Sequence, residues 1–212
     1  KVADDPSAEV RRMVIACAAE GPQAGTSGVA AATRLLRDPD AAIRVEAARV
    51  LAQAVARGGK VSAGVGDGLV TLVADGDRDV RAVAIRAIAA MAADAPKGAG
   101  AALVKAFATA DESEKLLLLR TGRAIGMTDL VEHAIADASP LVRVEAVDTA
   151  LATDTRAAAT VASALADADP QVRRAVLDRL GGGQDKLAAA DLDRALALAV
   201  RDPDPELRQL AL

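Results

Sequence analysis

Apolar residues recur along this chain at helical spacing. In residues 41–56, Ile43, Ala47, Val50 and Leu51 stand at i, i+4, i+7 and i+8, which is one face of a helix. Val80, Ala84, Ala87 and Ile88 repeat that stripe, and Val172, Val176 and Leu180 repeat it again. Upstream of the first stripe, residues 28–37 form a second apolar helical stretch, cut off by the polar corner Asp38-Pro39-Asp40. Pro39, Pro140, Pro170 and Pro203 sit at or near predicted helix starts, where a missing N–H costs nothing. Asp or Ser beside them can accept hydrogen bonds from the free amides of the first turn. Period-two alternation never persists between turn signals, and Ala dominates where a strand would need β-branched residues. The pattern predicts an all-α chain of helix pairs, each folded around a sharp polar corner.

The pairs repeat. An Asp stands five residues before an aliphatic that is followed by Arg: Asp5 with Val10-Arg11, Asp38 with Ile43-Arg44, and Asp75 with Val80-Arg81. Asp137 with Val142-Arg143, Asp167 with Val172-Arg173 and Asp202 with Leu207-Arg208 continue the series. Asp111 with Leu116 fits the same spacing, but Leu117 then stands where Arg is expected, so an Asp–Arg series would break there. The seven Asp positions are 33, 37, 36, 26, 30 and 35 residues apart, a range that suits helix-pair arrays. Glycines at 58–68, 98–100 and 181–183 read as loops between units, and no linker is long enough to separate domains. The expectation is one solenoid domain over residues 1–212, part of a longer chain, with about seven units and incomplete terminal ones.

Composition narrows the function. The 212 residues carry 26 Lys+Arg against 30 Asp+Glu, and Phe107 is the only aromatic. An acidic chain without stacking rings is a poor nucleic-acid binder. No apolar run approaches the roughly 20 residues of a membrane span. Cys17 and His133 are each the only residue of their type, too few for a disulfide framework, a zinc site or an imidazole relay. Ala is the best helix former yet buries little surface, and small residues suit helices stacked closely in an array.

The corner Asp38-Pro39-Asp40 with the run Ile43-Arg44-Val45-Glu46-Ala47-Ala48-Arg49-Val50-Leu51 resembles a bacterial HEAT repeat. Residues 75–81 and 167–173 carry the same resemblance, which extends over nearly the whole chain. It implies a right-handed α-solenoid of stacked helix pairs, with the second helix of each pair on the concave side. It also implies a structural inter-repeat ladder in which a corner Asp meets an Arg of an adjacent repeat. The matching residues are Asp5, Asp38, Asp75, Asp137, Asp167 and Asp202, with Arg11, Arg44, Arg81, Arg143, Arg173 and Arg208. Arg suits that role because its planar fork holds a carboxylate and a carbonyl together. The fold alone specifies function poorly.

Other motifs fail on their own chemistry. Residues 75–79 resemble the start of a calcium loop, but Val80 holds the tight-turn glycine position and Arg86 the bidentate acid position. Residues 64–68 mimic a phosphate cradle but follow no strand and lead to no Gly-Lys-Ser/Thr. Leu116 to Leu119 read either as an exposed apolar binding strip or as filling for a wider core beside Phe107. Cys17, in an Ala-rich helix, reads as a small buried hydrophobe, and His133 as a helix residue. No catalytic, cofactor or metal set emerges.

Polar positions on the second helices are the better candidates for binding: Arg12, Glu46, Arg49, Arg86, Arg120, Glu145, Asp148, Arg174, Asp178 and Arg179. Consecutive repeats can present such residues as one surface without a pocket, and their mixed sign favours a protein or peptide over nucleic acid. The expectation is a non-catalytic interaction scaffold, without cofactor, that binds a protein or peptide along the concave face. The alternatives are a ligand-binding or catalytic relative, akin to bilin lyases or alkylpurine DNA glycosylases, or a structural segment of a longer array. The apolar run at 207–212 has no polar cap, which predicts further repeats or end-on self-association.

Overall fold

A computed structural model describes residues 2–20, 26–57, 63–153, 157–182 and 187–212. Among these residues the protein is all-α, with no strand. The chain divides into two compact units, Lys1–Thr109 and Ala110–Leu212. In the first unit a 3-10 turn leads into α1 (Ala8–Glu20), followed by α2 (Thr26–Leu35), α3 (Ala41–Ala56), α4 (Ala63–Leu72), α5 (Arg78–Met91) and α6 (Ala99–Phe107). The second unit holds α7 (Glu112–Ala124), α8 (Asp129–Ala134), α9 (Pro140–Thr153), α10 (Ala157–Leu165), α11 (Pro170–Gly181), α12 (Ala189–Ala199) and α13 (Pro205–Leu210).

Each unit is a stack of helix pairs. In the first, α1, α3 and α5 pack side by side, with α2 and α4 laid against them. In the second, α7, α9, α11 and α13 form the equivalent row, backed by α8, α10 and α12. The apolar stripes face inward: Ile43 and Leu51 of α3, and Ile85 and Ile88 of α5, are buried. Ala47, Ala48, Ala84 and Ala87 are fully enclosed between them. Alanine at these contacts lets neighbouring helices approach at the short end of the usual 8–10 Å axis separation. In the second unit Val147, Val161, Val172, Val176, Leu180 and Leu207 share one core.

The corners start the helices by local chemistry. Asp40, Asp77, Asp169 and Asp204 cap α3, α5, α11 and α13, each accepting a first-turn amide. Pro170 and Pro205 begin their helices where no N–H is required.

Two sequence expectations are corrected and one pair of alternatives is decided. Residues 64–68 are not a loop but lie in α4, whose Val65, Leu69 and Leu72 are buried. Gly66 and Gly68 are there for clearance. A Cβ on Gly68 would come within 2.5 Å of Leu36 Cδ1, and one on Gly66 within 2.9 Å of the Pro96 ring. Cys17 is exposed rather than buried, because Ile15 and Ala18 take the inward face of α1. Leu118 and Leu119 are buried and Leu116 and Leu117 half-buried, so the four leucines are no exposed strip. The expected loop around Gly58 and the third glycine of residues 181–183 lie outside the described residues.

Candidate functional site

In each unit two sets of polar side chains line the second helices, one at the corners and one along the exposed ridge. At each corner the leading Asp is fixed by its own turn. Asp38, Asp75, Asp137, Asp167 and Asp202 each use Oδ1 to accept the amide two residues on, at 2.8–2.9 Å. The Arg six residues later anchors to the same corner through Nη1. Arg44 Nη1 donates to the carbonyls of Asp38 and Pro39 at 2.8 and 3.2 Å. Its Nε and Nη2 then reach the carboxylate of the following corner, Asp75, at 2.8 and 2.7 Å.

The same fork joins Arg11 to Asp38, Arg143 to Asp167 and Arg173 to Asp202. Arg81 and Arg208 make the same carbonyl contacts, to Asp75 and Gly76 and to Asp202 and Pro203. Burial by itself would raise the carboxyls of Asp38, Asp75, Asp137 and Asp167. Hydrogen bonds from the neighbouring repeat's cation and from the turn amide outweigh it and hold them below the usual carboxylate range. At Asp202 the Arg173 hydrogen bond is the largest influence, and burial opposes it.

The fourth corner is read two residues off register by the sequence spacing. Asp111 is not a leading corner aspartate but the N-cap of α7, accepting from the Glu114 amide at 2.9 Å. The corner position is Thr109, whose amide returns to the Ala106 carbonyl as the amides of Asp38 and Asp75 return to Leu35 and Leu72. Lys115, not Leu117, therefore occupies the Arg position. Its Nζ lies 2.6 Å from Asp137 Oδ2, so this repeat still sends a cation to the aspartate of the following corner.

In that register Arg49, Arg86, Arg120, Asp148 and Asp178 all stand nine residues after the N-cap position of their helices. The structure gives them different partners. In the first unit, Arg49 pairs with Glu46 one turn earlier on α3 at 2.6 Å. Arg86 is exposed on α5, and no carboxylate of the described residues forms an ion pair with it. Arg12 of α1 reaches Asp40 at the next corner, at 2.5 Å.

In the second unit the ridge is cross-linked between helices. The carboxylate of Glu145, buried on α9, takes Arg120 Nε at 3.0 Å and lies 3.2 Å from Arg123 Nη2, both from α7. Its Oε1 has no well-aligned hydrogen bond. Arg179 of α11 grips Asp148 of α9 through Nε and Nη2 and turns Nη1 to the Ala175 carbonyl. Arg174 pairs with Glu206 at 2.6 Å, and Asp178 is exposed. The sequence reading omitted Lys115, Arg123 and Glu206. Their common signal is placement near the N-cap or ridge register, visible only once each cap is known. His133 is exposed on α8. No described helix is long and apolar enough to cross a membrane.

Residues 1–89 match the family described as HEAT repeats. Among curated proteins no sequence relative matches. An archaeal HEAT-like repeats protein from Thermococcus onnurineus NA1 has a similar fold, with TM-score 0.55 and 14% identity over 98% of this chain and 95% of that one. The complex of CpcE and CpcF of phycocyanin lyase from Nostoc sp. PCC7120 is similar at TM-score 0.54 and 18% identity, over 99% of this chain and 91% of that one. A designed armadillo repeat protein in complex with the peptide (KR)4 is similar at TM-score 0.50 and 18% identity, over 98% and 92%. At these identities the likeness is one of fold and carries no activity across. The family match over residues 1–89 and the helix-pair fold with its repeated corners support a HEAT-repeat protein.

Proposed function

We propose that the protein is a non-catalytic interaction scaffold that binds a protein or peptide along the exposed ridge of its second helices. The observation that carries this reading is the pair Arg49 and Arg86. They occupy the same register on two packed helices, α3 and α5, and Arg86 has its guanidinium turned to solvent without an ion-pair partner among the described residues. Repeated positions of this kind let an extended partner be read one repeat at a time, without a pocket. The designed armadillo relative, which holds a peptide, supports the class of partner. Glu46 beside Arg49 keeps the ridge mixed in sign, which suits a polypeptide better than a polyanion. The second unit has a ridge of its own, in which Arg120, Glu145 and Asp148 are fixed, since their charges already hold neighbouring helices together.

The test is selection of displayed random peptides on the wild-type protein, with affinities then measured on the variant R49E/R86E. Both side chains are exposed, so helicity by circular dichroism should be unchanged. Selected ligands should weaken at least tenfold, the scale of losing one or two charged contacts. Ligands that bind the variant equally well would remove the ridge from the argument. A selection that yields no specific ligand would remove the scaffold reading.

A further inference from the structure

The ridge of the second unit carries more cation than its carboxylates use. Arg120 and Arg123 stand one turn apart on α7, and both turn to a single carboxylate, Glu145 of α9. Arg120 commits only Nε to it, at 3.0 Å, and its Nη1 and Nη2 meet no acceptor of the described residues. Arg123 brings Nη2 to 3.2 Å from Oε1, out of hydrogen-bond alignment, and makes no other ion pair among the described residues. The Glu145 side chain is only 9% exposed, against 59% for Arg120 and 36% for Arg123, so the cations are what a partner meets. Asp148, further along α9, is already gripped by Arg179. Leu141 lies four residues before Glu145 on the same face of α9 and is 58% exposed, although α9 packs against both α7 and α11. The matching positions of α3, α5 and α11 hold Ala42, Asp79 and Gln171, none of them a large apolar residue.

We propose that Arg120 and Arg123 form a carboxylate-binding site for a partner polypeptide, which sets an Asp or Glu side chain on the two guanidiniums and an apolar side chain on Leu141. The unused guanidinium edges match the two oxygens of a carboxylate. Two cations over one buried anion leave a single positive charge, which one carboxylate neutralises. A phosphate, with nearly two charges, would leave an unbalanced anion beside Glu145. Glu145 also holds the two long side chains in place before a partner arrives, which lowers the ordering cost of binding. Four residues of helix span about 6 Å, close to the roughly 7 Å between alternate residues of an extended peptide. The fitting segment is therefore an apolar residue and an acidic one, two apart. The class of partner rests on the scaffold reading, and the site uses neither Arg49 nor Arg86, which carry that reading.

The probe is the peptide acetyl-Ala-Leu-Ala-Glu-Ala-amide, with counterparts in which Gln or phosphoserine replaces Glu. Each is titrated into the whole isotope-labelled chain while the Nε–Hε signals of Arg120 and Arg123 are followed by NMR. The Glu peptide should shift both signals saturably, and the Gln and phosphoserine peptides should bind at least about threefold more weakly. R120Q leaves Arg123 on Glu145 and should weaken the Glu peptide about tenfold. E145Q removes the buried negative charge and should reverse the order, so that the phosphoserine peptide binds more tightly than the Glu peptide. Unchanged helicity by circular dichroism establishes that the variants fold. R49E/R86E should bind the Glu peptide as wild type does, which separates this site from the ridge of the first unit. A loss of binding in R49E/R86E overturns the proposal. So do equal binding of the Glu and Gln peptides, tighter binding of phosphoserine by wild type, no saturable shift at all, or an R120Q variant without effect.

Discussion

Lys115 Nζ lies 2.6 Å from Asp137 Oδ2 and does at its corner what a guanidinium does at four others. A point ammonium has no second donor pair arranged in a plane, so it holds one carboxylate oxygen where Arg44 and Arg143 hold two. Lys115→Met should therefore cost about 1–3 kcal/mol, because Asp137 is left half-buried without a counter-charge. Lys115→Arg should be neutral to stabilising by up to about 1 kcal/mol. Urea unfolding of both variants decides it, and an unchanged midpoint for Lys115→Met would show the contact to be energetically idle.

Removal of a whole fork should be more severe. Asp75→Ala takes the carboxylate from Arg44 and the Oδ1 acceptor from the Asp77 amide in one step. The expected loss is about 2–4 kcal/mol, since breaking a largely buried pair strands the remaining charge. Asp79→Ala, exposed in the first turn of α5, should change stability by no more than about 0.5 kcal/mol and serves as its control.

Acid should unfold the protein through these same carboxyls. Asp38, Asp75, Asp137, Asp167 and Asp202 are held below the ordinary aspartate range in the folded chain, so the folded state binds their protons more weakly than the unfolded state. Their contribution is then complete above the unfolded value of about 4 and is lost as pH falls through the folded values. Urea midpoints should be flat from about pH 7 to about pH 5 and drop steeply below about pH 4. Asp167→Asn should be weaker at neutral pH yet show a shallower acid decline. A parallel decline in the variant would count against Asp167 as one of the titrating groups.

The glycines of α4 should respond in opposite directions. Gly68→Ala puts a methyl against the buried Leu36 side chain and should cost about 1–3 kcal/mol. Gly64→Ala meets nothing within 4 Å and should stabilise by about 0.5–1 kcal/mol through helix propensity. Thermal melts of the two variants, shifted to opposite sides of wild type, are the expected result. A shift of Gly68→Ala upward would mean that Leu36 yields without strain.

Much of the fold was legible because its signals are local. The stripe Ile43, Ala47, Val50 and Leu51 specifies a buried helical face within one segment, and α3 spans residues 41–56 as that pattern predicts. Asp40, Asp77 and Asp169 announce helix starts through hydrogen bonds to amides two or three residues away. α4 was missed because its glycines read as loop residues. Their reason is the clearance of Gly66 and Gly68 from Pro96 and Leu36, side chains distant in sequence. The candidate ridge residues were legible as positions but not as states: Arg86 and Asp148 share a register, yet Asp148 is gripped by Arg179 and Arg86 has no such partner among the described residues.

The sequence by itself determined the helix periods, the polar corners and the residue types that recur there, because each depends on interactions within a turn or two of the chain. Only the tertiary structure decided which carboxylate each cation meets and where the fourth repeat begins. Asp111 and Asp38 look alike at that spacing, but a cap and a corner are told apart by which amides they hold. Cation and carboxylate come from different repeats, up to 32 residues apart, and meet only after the helices have packed.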